Sequence, residues 1–408
     1  MNRAVAMRIA ACGLVGLGAA LLIAALLLVT YTTSRIAKIP LDVDTSLASE
    51  GNALFALDPA SLSGPKFVVD ENVPVVKQQQ ISVEAPANAD VVTLQVGDTL
   101  RRTDRQQDNG LLLAIVDTVT VDRRSGEAVS DDTNPGGAVQ KPRSIEGDQP
   151  AVDVALPHEG LAYRFPFDVE KKTYPLFDPI AQQAFDANYE GEETVNGLTT
   201  YRFTQKIGYD AEGNLVDPIK YPSLYDNDED GTVTARASQW GLQGDPEEPI
   251  TMTRYYAAER ELNVDPVTGT IVKAEEHSAQ YYARDAKRPE VVLIDYRVTS
   301  TEDTVEQQVA AASDERDRIA VWSRILPITF TAVGLIALIG GALLGVFSLR
   351  AESALIDPGL DTAGHGFFRP RGDADEPTPG AEAETEKIPT QRPPGPLGLP
   401  PEANPPPR

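Results

Sequence analysis

Two uncharged apolar segments, one near each end, constrain this chain more than any other feature. Residues 9–29 (IAACGLVGLGAALLIAALLLV) and 325–349 (ILPITFTAVGLIALIGGALLGVFSL) carry no charged side chain over 21 and 25 positions. As a helix the shorter one spans roughly 31 Å, enough for the hydrocarbon core of a bilayer. Both read as membrane helices. Arg3 and Arg8 precede the first, as in a secretory signal peptide, but its apolar core is longer than a signal's and TYTTSRIAK after it offers no small-residue cleavage site. Ile9-Ala-Ala-Cys12 has the composition of a lipoprotein box, yet it starts the apolar run instead of ending it. The reading is an uncleaved anchor. In the second segment Gly341 and Gly345 lie one helical turn apart and form a small face for helix packing; ordinary membrane composition accounts for them equally well.

Two spans leave both termini on one side. Basic residues flank the first span almost evenly (Arg3 and Arg8 against Arg35 and Lys38), and long segments translocate largely regardless of charge. The middle is the more foldable part, so it is placed outside the inner membrane with both termini in the cytoplasm. The expected organisation is a cytoplasmic N-terminus (1–8), a membrane helix (9–31), a β-rich extracytoplasmic domain (32–301), a stalk helix (302–324), a second membrane helix (325–349) and a cytoplasmic tail (350–408). The tail is acidic and Pro-rich, and its composition predicts disorder or polyproline II.

The central block has the grammar of an antiparallel, mainly β (α+β) fold. Short runs rich in Val, Ile, Thr, Tyr and Phe, at 91–96, 111–121, 199–207, 251–256, 271–275 and 291–298, alternate with Gly, Asp, Asn and Pro turns. A helix is predicted from Asp178, with Asp178 as N-cap and Pro179 at its first position; another at 302–323 forms the stalk. One pattern, V-D-x-x-[ST]-G-x-x-V, occurs twice, at 121–129 and 264–272. It describes a hairpin in which Asp122 or Asp265 caps the turn and Gly126 or Gly269 takes the positive-φ position, either a duplicated β unit or a common hairpin type.

Charge and rare residues narrow the chemistry. The formal net charge is −25, against nucleic-acid binding, because phosphate recognition starts from a basic surface. The single cysteine, Cys12, rules out an intramolecular disulfide and a Cys-rich zinc site, and His158, His277 and His365 show no metal-ligand spacing. Asp226, Asp228 and Asp230 open like a calcium loop, but Ala237 stands where an EF-hand needs Glu; a solvated acidic turn is the favoured reading. Around His277 the neighbours Glu275 and Glu276 suggest acid–base chemistry, yet alternation places adjacent strand residues on opposite faces. No nucleophile elbow or phosphate loop completes a site, so no enzyme activity and no cofactor are expected. The clustered aromatics (Tyr163, Phe165, Phe167; Tyr174, Phe177; Tyr255, Tyr256; Tyr281, Tyr282) read as core, with a lipid groove as the minority alternative.

The chain resembles an actinobacterial membrane-protein family often labelled porin PorA. The likeness is carried by Ile36-Ala-Lys38-Ile-Pro40-Leu41-Asp42, Tyr174-Pro-Leu-Phe-Asp178, the run from Glu192 to Phe203 (EETVNGLTTYRF) and Val264-Asp-Pro-Val-Thr-Gly269, together reaching about residue 350. The family includes polar growth factors, and the resemblance implies a periplasmic domain that binds a glycolipid such as trehalose monomycolate. It also implies work beside a resistance-nodulation-division mycolate transporter in envelope assembly at the growing pole. It supplies no lipid-contact residues. A porin reading needs amphipathic strands with a lipid-facing band, or oligomerised helices; a non-catalytic scaffold organising envelope synthesis is the other alternative.

Overall fold

The computed structural model describes residues 3–58, 60–61, 64–105, 110–130, 136–141, 152–221 and 231–353. The Asp226, Asp228 and Asp230 motif and the Pro-rich tail lie outside them.

Helix α1 (Arg3–Leu27) passes through one π-helical turn into the short α2 (Thr33–Ile36), and the strands follow. They are β1 (Asp44–Leu57), β2 (Val69–Ala87), β3 (Val91–Arg102), β4 (Leu111–Asp122), β5 (Gly137–Lys141), β6 (Val152–Ala155) and β7 (Tyr174–Asp178). Next come β8 (Gln183–Val195), β9 (Leu198–Ile207), β10 (Ile219–Lys220), β11 (Thr232–Arg236), the single turn α3 (Ala237–Trp240), β12 (Pro249–Val264), β13 (Ile271–Ala283) and β14 (Val291–Ser300). Helix α4 (Glu302–Ala320) then runs through a second π-helical turn into α5 (Leu326–Ser353).

All the strands join one antiparallel sheet in the order β6-β5-β4-β3-β2-β1-β14-β13-β12-β9-β8-β7, with β10 and β11 also pairing to β12. The fold is mainly β, as the alternating runs predict. The long polar strands β1, β2 and β8 are less apparent in the sequence: Ser, Asn, Gln and Glu have low strand propensity, and in β1 and β2 pairing on both sides holds the strand.

The sheet curls until its two halves nearly meet. Leu161 bridges them, pairing antiparallel to Glu127 beyond β4 and parallel to Leu176 of β7. Side chains from both halves share a core, with Ile115 and Val139 packing in one buried cluster with Ile207, Tyr256 and Ala258. The convex face is polar: register places Lys206, Glu259, His277, Arg297 and Asn52 in one row across β9, β12, β13, β14 and β1.

The helix predicted from Asp178 is not formed. Asp178 does cap, its Oδ1 accepting the Ala181 N–H at 2.6 Å, but it caps a turn between β7 and β8 that ends at Gln182 with φ 59°. Pairing of β8 with β7 and β9 overrides the local helical signal.

Two helices, 5–31 and the long 302–350, are long and apolar enough to cross a membrane. Ile9, Leu17, Ile23, Ile328, Ile336 and Ile339 lie exposed on their outer faces, a surface suited to lipid. The helices also touch each other through small residues. A Cβ at Gly18 would lie 2.6 Å from the Gly334 oxygen, and one at Gly341 would lie 2.8 Å from Val15 Cγ2; the contact is looser at Gly345, where an added Cβ would lie 4.0 Å from Ala11 Cβ.

Candidate functional site

Between the concave face of the sheet and α4 lies a cavity of about 680 Å³. Strand alternation sets its walls: Leu47 of β1, Ile81 of β2, Leu94 of β3, Leu262 of β12, Val272 of β13 and Val298 of β14 all point inward. One face of α4 forms the roof, with Thr304, Gln308, Ala311, Asp314, Glu315 and Arg318 recurring at helical spacing. Its rim includes Ile39, Pro40, Asp42, Val43 and Asp44, which follow the first apolar helix closely in sequence. Arg318 stands just before the second, so the rim is built from chain that has just left one apolar helix and chain about to enter the other.

The sheet side of the cavity carries a charged floor gathered from seven strands. Lys77 Nζ of β2 lies 2.7 Å from Glu276 Oε2 of β13 and 3.1 Å from Asp98 Oδ2 of β3. Between β2 and β13 lie β1 and β14, and at Gly51 of β1 a Cβ would come 2.0 Å from the Arg297 carbonyl oxygen of β14, so only glycine fits there. Arg260 of β12 donates through Nε to Glu276 (3.3 Å), through Nη1 to Asp178 (2.5 Å) and Gln205 (2.9 Å), and through Nη2 to the Tyr256 hydroxyl (3.0 Å). Tyr256 donates in turn to Asp178 (2.9 Å), and Tyr296 donates to Glu276 Oε1 (2.5 Å).

Burial and pairing compete at each of these groups. Burial alone would lower the pKa of Lys77 and Arg260, but Asp98 and Glu276 outweigh it and raise that of the ammonium, and Tyr256, Asp178 and Glu276 do the same for the guanidinium. Burial would also raise Glu276, yet Lys77 and Arg260 outweigh it and hold that carboxyl far below the usual range. At Asp98 burial wins over Lys77, and its pKa is raised. Burial likewise pushes the Tyr256 and Tyr296 hydroxyls well up.

A strap, residues 161–169, borders the cavity and brings Tyr163 and Arg164 into its lining. The two V-D-x-x-[ST]-G turns grip it from either side. The Phe167 N–H donates to the Arg124 oxygen and the Ala162 N–H to the Gly126 oxygen; the Phe165 N–H donates to Gly269 and the Val169 N–H to Pro266. In the first turn Asp122 Oδ1 accepts the Arg124 and Ser125 N–H groups, and Gly126 has φ 72°. In the second, Asp265 Oδ2 accepts the Thr268 N–H and hydroxyl, and Gly269 has φ 76°. Arg164 ties the strap to the roof by donating to Glu315 at 2.6 Å and to the Thr268 oxygen at 2.8 Å.

The histidines are paired elsewhere. His158 Nε2 lies 3.0 Å from Asp117, which also accepts from Tyr163 at 2.5 Å, and its ring stacks on Phe177. His277 faces the convex side 2.9 Å from Asp295, while Glu276 beside it points into the cavity. Among the described residues no three His, Cys, Asp or Glu side chains gather as for a metal. The aromatics mostly pack as core, Phe165, Tyr174 and Phe203 against one another. The floor itself was missed by sequence reasoning. Its signal was a charge in phase with inward apolar positions, such as Arg260 between Ala258 and Leu262.

Comparison with known proteins places this architecture. The profile of the Porin PorA family matches residues 10–343, from the first apolar helix through most of the second. The chain belongs to the porin PorA family. A Porin PorA of Corynebacterium amycolatum is 27% identical over 392 residues, covering 84% of this chain and 98% of that protein. One from Corynebacterium resistens is 29% identical over 327 residues, covering 67% and 76%. A solved structure titled putative MaoC domain protein dehydratase, from Chloroflexus aurantiacus, covers 69% of this chain and 80% of its own at 10% identity; its TM-score of 0.13 carries no argument. The PorA match spans both apolar helices and the β domain, so the cavity lies wholly inside the shared region.

Proposed function

We propose that this PorA-family chain is a two-pass inner-membrane protein whose β domain, outside the cytoplasm, takes up a glycolipid and passes it on without covalent chemistry. The observation that carries this is the cavity: apolar walls, a charged hydrogen-bonding floor, and a rim made where the chain leaves both membrane helices. Apolar walls suit an acyl chain, and a few convergent polar groups fix a head group. Its volume of about 680 Å³ is that of a pocket for one small ligand, so it takes the head group and the start of a chain while the remaining alkyl length stays in the bilayer. The resemblance to polar growth factors suggests trehalose monomycolate as the lipid, a resistance-nodulation-division transporter as the partner and the growing pole as the place.

The porin named in the relatives is a second reading. The charged convex row across β9, β12, β13, β14 and β1 is unsuited to the lipid-facing band of a membrane barrel, so a pore would have to come from oligomerised helices. Native mass spectrometry of the full chain purified from a mycolate-producing host, with trehalose monomycolate added back, tests the proposal. A stoichiometric glycolipid is the expected result. A clean apo mass with no uptake overturns the carrier reading in favour of a scaffold, and conductance across planar bilayers would favour the pore.

A further inference from the structure

The floor and rim also bear on which head group enters; this step rests on the carrier reading above. Both floor cations are engaged. Arg260 donates to four partners, and Lys77 is shared between Glu276 and Asp98. Glu276 is engaged at both oxygens, by Lys77 and Arg260 at one and Tyr296 at the other. Asp98 differs. Its Oδ2 meets Lys77, its Oδ1 has no hydrogen-bond donor among the described residues, and 19% of its side chain remains open. A buried carboxylate oxygen without a donor is costly, and the broad Asp χ2 torsion lets either oxygen turn toward a ligand.

Charge adds to this. The floor holds three carboxylates, Asp98, Asp178 and Glu276, against Lys77 and Arg260, for a formal charge of −1. At the rim stand Asp42, Asp44 and Asp314, while Glu315 lies between Arg164 and Arg318 and Lys273 is paired with Glu275, which leaves the rim net negative. An anionic phospholipid therefore meets negative charge at both ends of its path, and a phosphodiester offers only acceptors to a carboxylate that needs a donor. A hydroxylated, uncharged head supplies that donor. We propose that the cavity selects uncharged polyol head groups against anionic phospholipid heads, and that Asp98 is the specificity-determining residue.

The test uses the full chain in phosphatidylcholine nanodiscs and two amphiphiles of equal alkyl length, dodecyl maltoside and the phosphodiester dodecyl methyl phosphate, with binding followed by native mass spectrometry. The wild type is expected to prefer the maltoside by on the order of tenfold or more. Asp98→Asn is expected to shift the ratio toward the phosphate by on the order of tenfold, and Asp42→Asn with Asp314→Asn to shift it the same way by less. A ratio is read within one preparation, so partial misfolding does not produce the shift. Equal uptake of both amphiphiles by the wild type, or an unchanged ratio in Asp98→Asn, overturns the selectivity and leaves the carrier standing. Uptake of neither overturns both.

Discussion

The two V-D-x-x-[ST]-G turns share sequence, register and the strap they hold, yet the molecule uses them differently. In each, the Val before the Asp pairs with the residue seven positions on: Val121 with Ala128, Val264 with Ile271. Asp122 stays partly open to solvent, whereas Asp265 is fully buried, with Arg316 of α4 at 3.5 Å from its Oδ1. A short motif fixes the turn; the neighbours decide how much stability rests on it. The second turn lies between strap and roof, so a defect there is expected to reach the cavity.

The largest contrast is expected at the glycines. A Cβ at Gly269 would lie 2.1 Å from the Phe165 oxygen and 2.5 Å from the Pro166 oxygen, both backbone atoms, whereas at Gly126 the nearest atom is the Arg164 oxygen at 2.8 Å. Both residues have positive φ, so alanine is strained at either; Gly269→Ala should cost about 3 kcal/mol or more and Gly126→Ala about 1–2 kcal/mol. Thermal unfolding of the purified full-length variants ranks them. Equal losses would mean that the strap shifts to accommodate either side chain.

The aspartates come next. Asp265→Ala removes a buried acceptor from the Thr268 N–H and hydroxyl and is expected to cost about 2–3 kcal/mol. Asp122→Ala removes an acceptor that water can partly replace, for about 1 kcal/mol. The same melts decide, and a larger loss at Asp122 would reverse the comparison.

Acid sharpens it further. Burial alone would raise the Asp122 carboxyl, but the Ser125 and Arg124 N–H groups outweigh burial and lower it from 3.8. Its contribution is therefore present above pH 3.8 and lost as the pH falls through the lowered folded value. Glu276 behaves alike with a wider window opening at its unfolded value of 4.5, while Asp98, raised in the fold, partly offsets it. Melting temperature against pH should flatten on the acid side in Glu276→Gln, and by less in Asp122→Asn. An unchanged acid slope in Glu276→Gln would mean that Lys77 and Arg260 do not hold that carboxylate.

These contrasts mark what the sequence makes legible. Apolar runs announce α1 and α5 because a bilayer demands unbroken apolar length, and hairpin turns announce themselves because Asp and Gly act within four residues. The Asp178 turn misleads because a capping Asp followed by Pro serves a helix or a tight turn equally well, and only the pairing partners of β8 choose. The floor is hidden for a different reason. Lys77, Asp98, Arg260 and Glu276 come from four strands, and nothing local in KQQQ or AERE shows that they converge. Alternation gives the face of each residue; strand order and curl give the neighbour.

The smallest expected effect isolates what burial adds to the second turn. Arg316 is one-third exposed and lies 3.5 Å from Asp265, so the pair alone should contribute no more than about 1 kcal/mol. A double-mutant cycle of Arg316→Ala and Asp265→Asn separates that pair from the turn itself. A coupling below about 1 kcal/mol, with most of the Asp265 loss retained in the Arg316→Ala background, is expected if the turn's own hydrogen bonds dominate. A coupling as large as the whole Asp265 effect would instead make α4 the element that sets the second turn apart. Displacing the roof would then loosen the strap and the cavity together.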